Sequence, residues 1–221
     1  EGEARVTVKT AQGEQEVACQ KVLVAVGIQG NTERLGLESL GVATERGFIV
    51  IDEQMRTQVE GIYAVGDVTG KLPLAHVASA QGVAAVEHIA GLETQPLDYT
   101  LMPRATYCVP QVASFGLTER QAREQGREVK VGKFPFQAHG KALALGETEG
   151  MVKLVLDAKL GGLLGAHLIG PEVTELLAEL SITRLLEGTN HELGWLVHAH
   201  PSLSEALKEA ALAADGQAIH L

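Results

Sequence analysis

Between Arg104 and Leu168 the sequence carries five short apolar runs of strand character: Arg104–Cys108, Val112–Leu117, Glu128–Phe134, Met151–Asp157 and Leu163–Leu168. The long helical patterns come only afterwards. Strands gathered ahead of helices specify an α+β layer, a sheet covered by helices, rather than a doubly wound parallel sheet. One short helix is expected inside the run, because Thr118-Glu119-Arg120-Gln121 has the spacing of a capping box. Pro171–Leu186 and Ser202–Ala214 read as amphipathic helices, with Pro171 at a first helical position.

The first hundred residues follow another pattern. Arg5–Thr10 alternates with period two, Gln12-Gly13-Glu14 turns the chain, and Glu16–Cys19 returns it as a hairpin. Lys21–Val26 is an unbroken, largely β-branched run, which predicts a strand buried on both faces of a parallel sheet. Phe48–Asp52 predicts a short strand and Ile62–Asp67 a further buried one, while Leu74–Ala90 is helical with Gly91 as a left-handed cap. Composition changes at Gln95-Pro96-Leu97-Asp98, the expected domain boundary. The class is therefore α/β followed by α+β.

Charge and cysteine content narrow the setting. The 28 acidic against 18 basic residues give a net charge of −10, which argues against a nucleic-acid partner or an anionic membrane surface. Two cysteines cannot form a disulfide framework, so a reducing, cytoplasmic environment is expected. No apolar run reaches the length of a membrane span. The opening Glu1-Gly2-Glu3-Ala4-Arg5 resembles no signal segment and passes at once into strand alternation, as expected of a chain that starts inside a longer sequence.

Two segments carry residues suited to chemistry. The run Ile62–Asp67 ends in Gly66-Asp67, with Leu74-Ala75-His76 opening the next helix. A carboxylate at the carboxyl edge of a sheet can accept hydrogen bonds from sugar-like hydroxyls, and a helix N-terminus offers N–H groups to an anion. On the dipeptide alone a plain Gly-Asp turn is the better reading, because Gly-Asp is a common turn pair. The second segment is His198-Ala199-His200-Pro201-Ser202-Leu203-Ser204-Glu205. A His-x-His pair in extended backbone puts both rings on one face, yet no further ligands stand at zinc-like spacing, so no metal is expected. Ser202 with Glu205 forms a capping box, or else Glu205 tunes an imidazole acting as general base.

Together with Pro103–Pro110 and Gly116-Leu117-Thr118-Glu119, these segments resemble the C-terminal half of the pyridine nucleotide–disulfide oxidoreductase family. His-Pro-x-x-Ser-Glu is similar to glutathione reductase-like members. The preceding His-Ala resembles the dihydrolipoamide dehydrogenase branch, and mercuric reductase-like members lack the histidine. The resemblance implies that residues 1–35 end an NAD-binding domain, that 36–97 complete an FAD-binding domain, and that 98–221 form the interface domain of a homodimer. It implies that Asp67, preceded by Gly66, holds the flavin ribitol, and that the backbone of Leu74, Ala75 and His76 faces the flavin ring. Gly27 matches a glycine near the nicotinamide nucleotide, but Gly27-Ile28-Gln29-Gly30-Asn31 departs from the usual Gly-Arg-Arg-Pro-Asn, so no basic contact is expected there.

His200 would be the acid/base for a dithiol, oriented by Glu205 and acting on the disulfide of the partner subunit. The implied activity is reoxidation of a protein-bound dihydrolipoyl group through a disulfide, FAD and NAD, within a 2-oxo-acid dehydrogenase complex. A basic peripheral subunit-binding module of the acyltransferase would be the docking partner. Another disulfide reductase of the family, or a dimerisation and docking module, are the alternatives. The chain has no Gly-x-Gly-x-x-Gly and no Cys-x-x-x-x-Cys, so the pyrophosphate cradle and redox disulfide are expected upstream, and these residues alone are expected to be inactive. Cys108 is expected to be a buried structural thiol.

Overall fold

The computed structural model describes residues 2–221. Its C-terminal half is built on five antiparallel strands: β5 (Arg104–Thr106), β6 (Gln111–Gly116), β7 (Val129–Pro135), β8 (Met151–Asp157) and β9 (Leu163–Gly170). They lie in the order β5-β6-β9-β8-β7. Helix α5 (Val173–Leu185) packs on β6 and β9, and α7 (Glu205–Ala213) packs on β7 and β8. The expected α+β layer is therefore present.

Alternation along the strands supplies its core. Phe115, Phe134, Val152, Leu154, Leu156 and Leu168 meet Leu177 and Leu180 of α5 and Leu207 and Ala210 of α7 in one closed cluster. A Cβ at Gly132 of β7 would collide with the Ala210 carbonyl, so only glycine lets α7 lie this close to the sheet.

Local capping follows the sequence in part. Helix α3 (Glu119–Glu124) starts at the expected Thr118–Gln121 box. A second box, Thr189–Glu192, starts α6 (Asn190–Trp195), which the sequence reading did not include. Pro171 is not at a first helical position: Glu172, at φ 49°, caps α5, and Val173 begins it. Only half of the Ser202–Glu205 box forms. Glu205 Oε2 accepts from the Ser202 N–H at 3.0 Å, while Ser202 Oγ turns back to the Ala199 carbonyl at 2.6 Å.

The N-terminal half is more open. Strands β1 (Ala4–Thr10) and β2 (Gly13–Cys19) form the expected hairpin. Lys21–Val26 is not a strand, and it is not buried: Leu23 is 91% and Val26 93% exposed. A two-faced strand exists only when neighbours pair with it and helices cover it, and the described residues place none there. The expected strand Phe48–Asp52 shortens to β4 (Phe48–Ile49), paired with β3 (Thr44–Glu45). Ile62–Asp67 is likewise no strand: it forms one isolated bridge, Tyr63 with Arg56, and backbone hydrogen bonds to Met55 and Thr57. A small cluster of Leu37 from α1 (Leu37–Leu40), Val42, Ile49, Ile51, Met55, Ala64 and Ala85 holds this region. Ala85 lies on α2 (Ala75–Ile89), and Gly91 follows its end at φ 74°, as expected of a left-handed cap.

Candidate functional site: an imidazole–carboxylate pair in a histidine-lined pocket

After α6 the chain runs without regular structure to the start of α7, and His198 and His200 stand on this stretch. Their rings take different partners, although both line one pocket. His198 has a side chain only 4% exposed, and its Nε2 lies 2.8 Å from Glu179 Oε1 on α5. His200 is 78% exposed, and its Nδ1 lies 3.0 and 3.2 Å from the two oxygens of Glu205. The partner of one ring is distant in sequence, on α5, and that of the other is local, five residues on. In the neutral ring that donates Nδ1–H to the carboxylate, His200 Nε2 carries the lone pair.

Burial pushes the Glu205 carboxyl up, but the Ser202 N–H and the His200 ring outweigh it and hold the group below the ordinary carboxylate range. An ionised carboxylate fixes the imidazole tautomer and stabilises the ring once it takes a proton. The pair opens on a pocket of about 280 Å³, lined also by His139, Lys208, Glu209 and His220. Burial holds His139 below the usual histidine range, against the attraction of Glu205 and Glu209. Its Nδ1 accepts the Ala142 N–H at 3.3 Å and caps α4 (Gly140–Leu145). Among the described residues no group of three His, Cys, Asp or Glu side chains is placed to hold a metal ion.

A second candidate region lies on the N-terminal half. Gly66 adopts φ 82°, ψ −158°, a conformation open essentially to glycine. Its N–H donates to Gln81 Oε1 at 2.6 Å, and the buried Gln81 donates in turn to Tyr99 Oη at 2.9 Å. This network fixes the turn that leaves Asp67 exposed. Leu74 gives α2 no side-chain cap, so the N–H groups around Ala75 and His76 stay available to a ligand. His76 Nε2 lies 2.8 Å from the Pro103 carbonyl. An exposed carboxylate beside an uncapped helix start fits the ribitol and ring side of a flavin. Gly27, at φ 125°, stands in an exposed stretch with nothing within 4 Å of an added Cβ, and no wall of a nicotinamide-nucleotide pocket surrounds it among the described residues. Cys108 is exposed in the turn after β5, not buried, because β5 ends at Thr106.

The sequence profile of the pyridine nucleotide-disulphide oxidoreductase dimerisation domain matches residues 102–211, and that of pyridine nucleotide-disulphide oxidoreductases matches residues 1–82. The chain belongs to this oxidoreductase family. Among curated relatives, it is similar to the dihydrolipoyl dehydrogenase of Bacillus subtilis, 51% identical over 92% of this chain and 43% of that protein. The dihydrolipoyl dehydrogenase of Corynebacterium glutamicum is 56% identical over 90% of this chain and 44% of its own length. Among solved structures, LpdA of Mycobacterium tuberculosis superposes with a TM-score of 0.83 at 29% identity, over 93% of this chain and 45% of that one. The HOCl-induced flavoprotein disulfide reductase RclA of Escherichia coli gives 0.84 at 28%, over 94% and 48%. The chain thus spans under half the length of the relatives it matches.

In this family member the fold pairs His200 with Glu205 and His198 with Glu179, while both histidines line the same pocket. The sequence reading missed His139, Glu209 and His220. A histidine just ahead of the short apolar helical stretch Ala142–Leu145 was the one available signal for His139. No local pattern links Glu209 to His220 eleven residues on.

Proposed function

We propose that the protein containing this chain is a dihydrolipoyl dehydrogenase that reoxidises protein-bound dihydrolipoamide, working in the cytoplasm as a homodimer. The carrying observation is the His200–Glu205 pair: an exposed imidazole whose Nδ1 is held at 3.0 Å by an ionised carboxylate, both residues lining one pocket. His200 Nε2 takes the proton of an incoming thiol, since the thiolate and not the thiol attacks a disulfide. Glu205 keeps the ring oriented and stabilises the imidazolium until the proton is released. Asp67, Gly66 and the backbone at Leu74–His76 would hold FAD, which when bound takes up the electron pair that NAD finally receives. The redox disulfide is not among these residues: Cys108 is exposed, and Cys19 sits at the end of the first hairpin.

The domain division at residues 35 and 97 belongs to the same reading. Residues 98–221 would supply most of the dimer interface, because Ile182, Leu185, Leu186, Trp195 and Val197 stay exposed while Leu177 and Leu180 fill the core. The thiol that His200 serves would then come from the partner subunit. The net charge of −10 suits a basic peripheral subunit-binding module of a 2-oxo-acid dehydrogenase acyltransferase as docking partner.

The test is His200→Gln in the complete protein. Dihydrolipoamide turnover should fall about 10²–10⁴-fold, the usual cost of a lost general base, with flavin content and dimer mass unchanged. His198→Gln should do far less. A mixed dimer, one subunit lacking the redox cysteines and the other lacking His200, should keep about half of the wild-type activity, because both lesions fall in one shared site. Undiminished turnover by His200→Gln overturns the reading, and a silent mixed dimer places base and disulfide in one subunit.

A further inference from the structure

The pocket at His200 contains a second imidazole–carboxylate pair that the chemistry above leaves without a role. Glu209 stands one turn after Glu205 on α7, with its side chain 5% exposed. It accepts three hydrogen bonds from the end of the chain: the Ile219 N–H at 2.9 Å, the His220 N–H at 3.1 Å and His220 Nδ1 at 2.9 Å. A buried carboxylate demands such partners, so the segment beyond α7 is drawn back across the helix. Gly216, at φ 68°, makes the reversal, and the Gln217 N–H closes it on the Leu212 carbonyl at 3.0 Å. Ile219 and His220 thereby become part of the pocket wall, together with His139, His198, His200 and Lys208.

This arrangement fixes the chemistry of the His220 ring. Burial pushes Glu209 up, but the His220 ring and the two backbone N–H groups outweigh it and keep the carboxylate ionised. In the neutral ring that donates Nδ1–H to Glu209, Nε2 carries the lone pair. The His220 side chain is 67% exposed, so this acceptor remains open to an incoming molecule. His200 has the same architecture one helical turn away.

We propose that His220 is a specificity-determining residue, its Nε2 accepting the N–H of a carboxamide tail on the dithiol whose thiol His200 deprotonates. The inference rests on the dihydrolipoyl reading above and names the substrate class it favours: dithiols with an amide tail. A tail ending in a carboxylate sets its own acceptor oxygens against the Nε2 lone pair and gains nothing there.

The experiment compares dihydrolipoamide with dihydrolipoate as substrates of the complete flavoprotein. His220→Ala should raise the KM for dihydrolipoamide about three- to tenfold, the worth of one hydrogen bond, with kcat within about twofold. The KM for dihydrolipoate should stay unchanged, so the amide-over-acid preference falls by the same factor. His220→Leu, which fills the ring's space without an acceptor, should do the same. His220→Gln should restore the preference, because its amide can donate to Glu209 while its carbonyl accepts from the substrate. An unchanged preference in the Ala and Leu variants, a loss confined to kcat, or a Gln variant that behaves like Ala overturns the proposal. A wild-type protein that does not turn over dihydrolipoamide, or a His200→Gln variant that still does, instead sinks the reading on which it rests.

Discussion

The two halves of this chain bury their apolar residues to different degrees. The C-terminal sheet, with α5 and α7 on it, closes a cluster in which Phe115, Phe134, Phe136, Leu154 and Leu207 are wholly buried. The N-terminal half gathers a thin cluster around Met55, every other member of which stays partly in reach of solvent, and leaves Leu23 and Val26 open. An antiparallel sheet finds its partners through short connections and covers one face with its own helices. A strand meant for a parallel sheet depends on neighbours a crossover away. The first arrangement is satisfied within these residues, and the second is not.

The comparison breaks or sharpens most visibly in native-state hydrogen exchange. In residues 1–221 on their own, amides of β8 and β9 should exchange only through global unfolding, whereas those of residues 21–28 should exchange almost without protection. Comparable protection in the two segments would refute the contrast. Next in size, Phe136→Ala should cost about 3–5 kcal/mol of unfolding free energy, since the ring fills a closed core and packs where a Cβ at Gly170 would collide with it. Met55→Ala in the thinner cluster should cost about 2 kcal/mol, at the low end for such truncations. Denaturant unfolding of both variants measures the difference, and equal losses would contradict it.

Acid should also separate the halves. Glu119, Asp157, Glu192, Glu205, Glu209 and Asp215, all in the C-terminal half, are held below their ordinary carboxylate range, against Asp52 alone in the N-terminal half. For Glu119 the cause is the hydrogen bonds from Lys153 and Arg123. Depressed carboxyl groups bind fewer protons folded than unfolded, so their stabilisation is complete above the unfolded value, near 4.5 for Glu, and is lost as pH falls through the folded one. His139, lowered by burial, acts with the same sign from its unfolded value near 6.5 downward. The C-terminal sheet should therefore lose stability on acidification before the Met55 cluster does, as circular dichroism and exchange at matched pH would read out. In residues 1–221 on their own, the smallest effect is expected at Leu23→Ser, within about 0.5 kcal/mol, because an exposed side chain has no packing to lose.

Local order was legible where the determinants are local. The five strand runs, the Thr118 box, α2 with Gly91 behind it, and the proximity of His200 to Glu205 five residues on all follow from periodicity and short-range capping. Chain order, strands first and helices afterwards, was enough to specify the α+β layer. Tertiary structure alone decided the rest. It sent His198 to Glu179 on α5, nineteen residues away, and left His200 outward. It brought His139, which precedes β8 and β9 in the chain, into one pocket with Glu205 and Glu209 of α7, and folded His220 back onto Glu209. It left Lys21–Val26 and Ile62–Asp67 outside any strand, although their composition is that of buried β structure. Side-chain period and capping are properties of neighbours in sequence, whereas pairing partners and pocket walls are set by segments that meet only when the chain closes on itself.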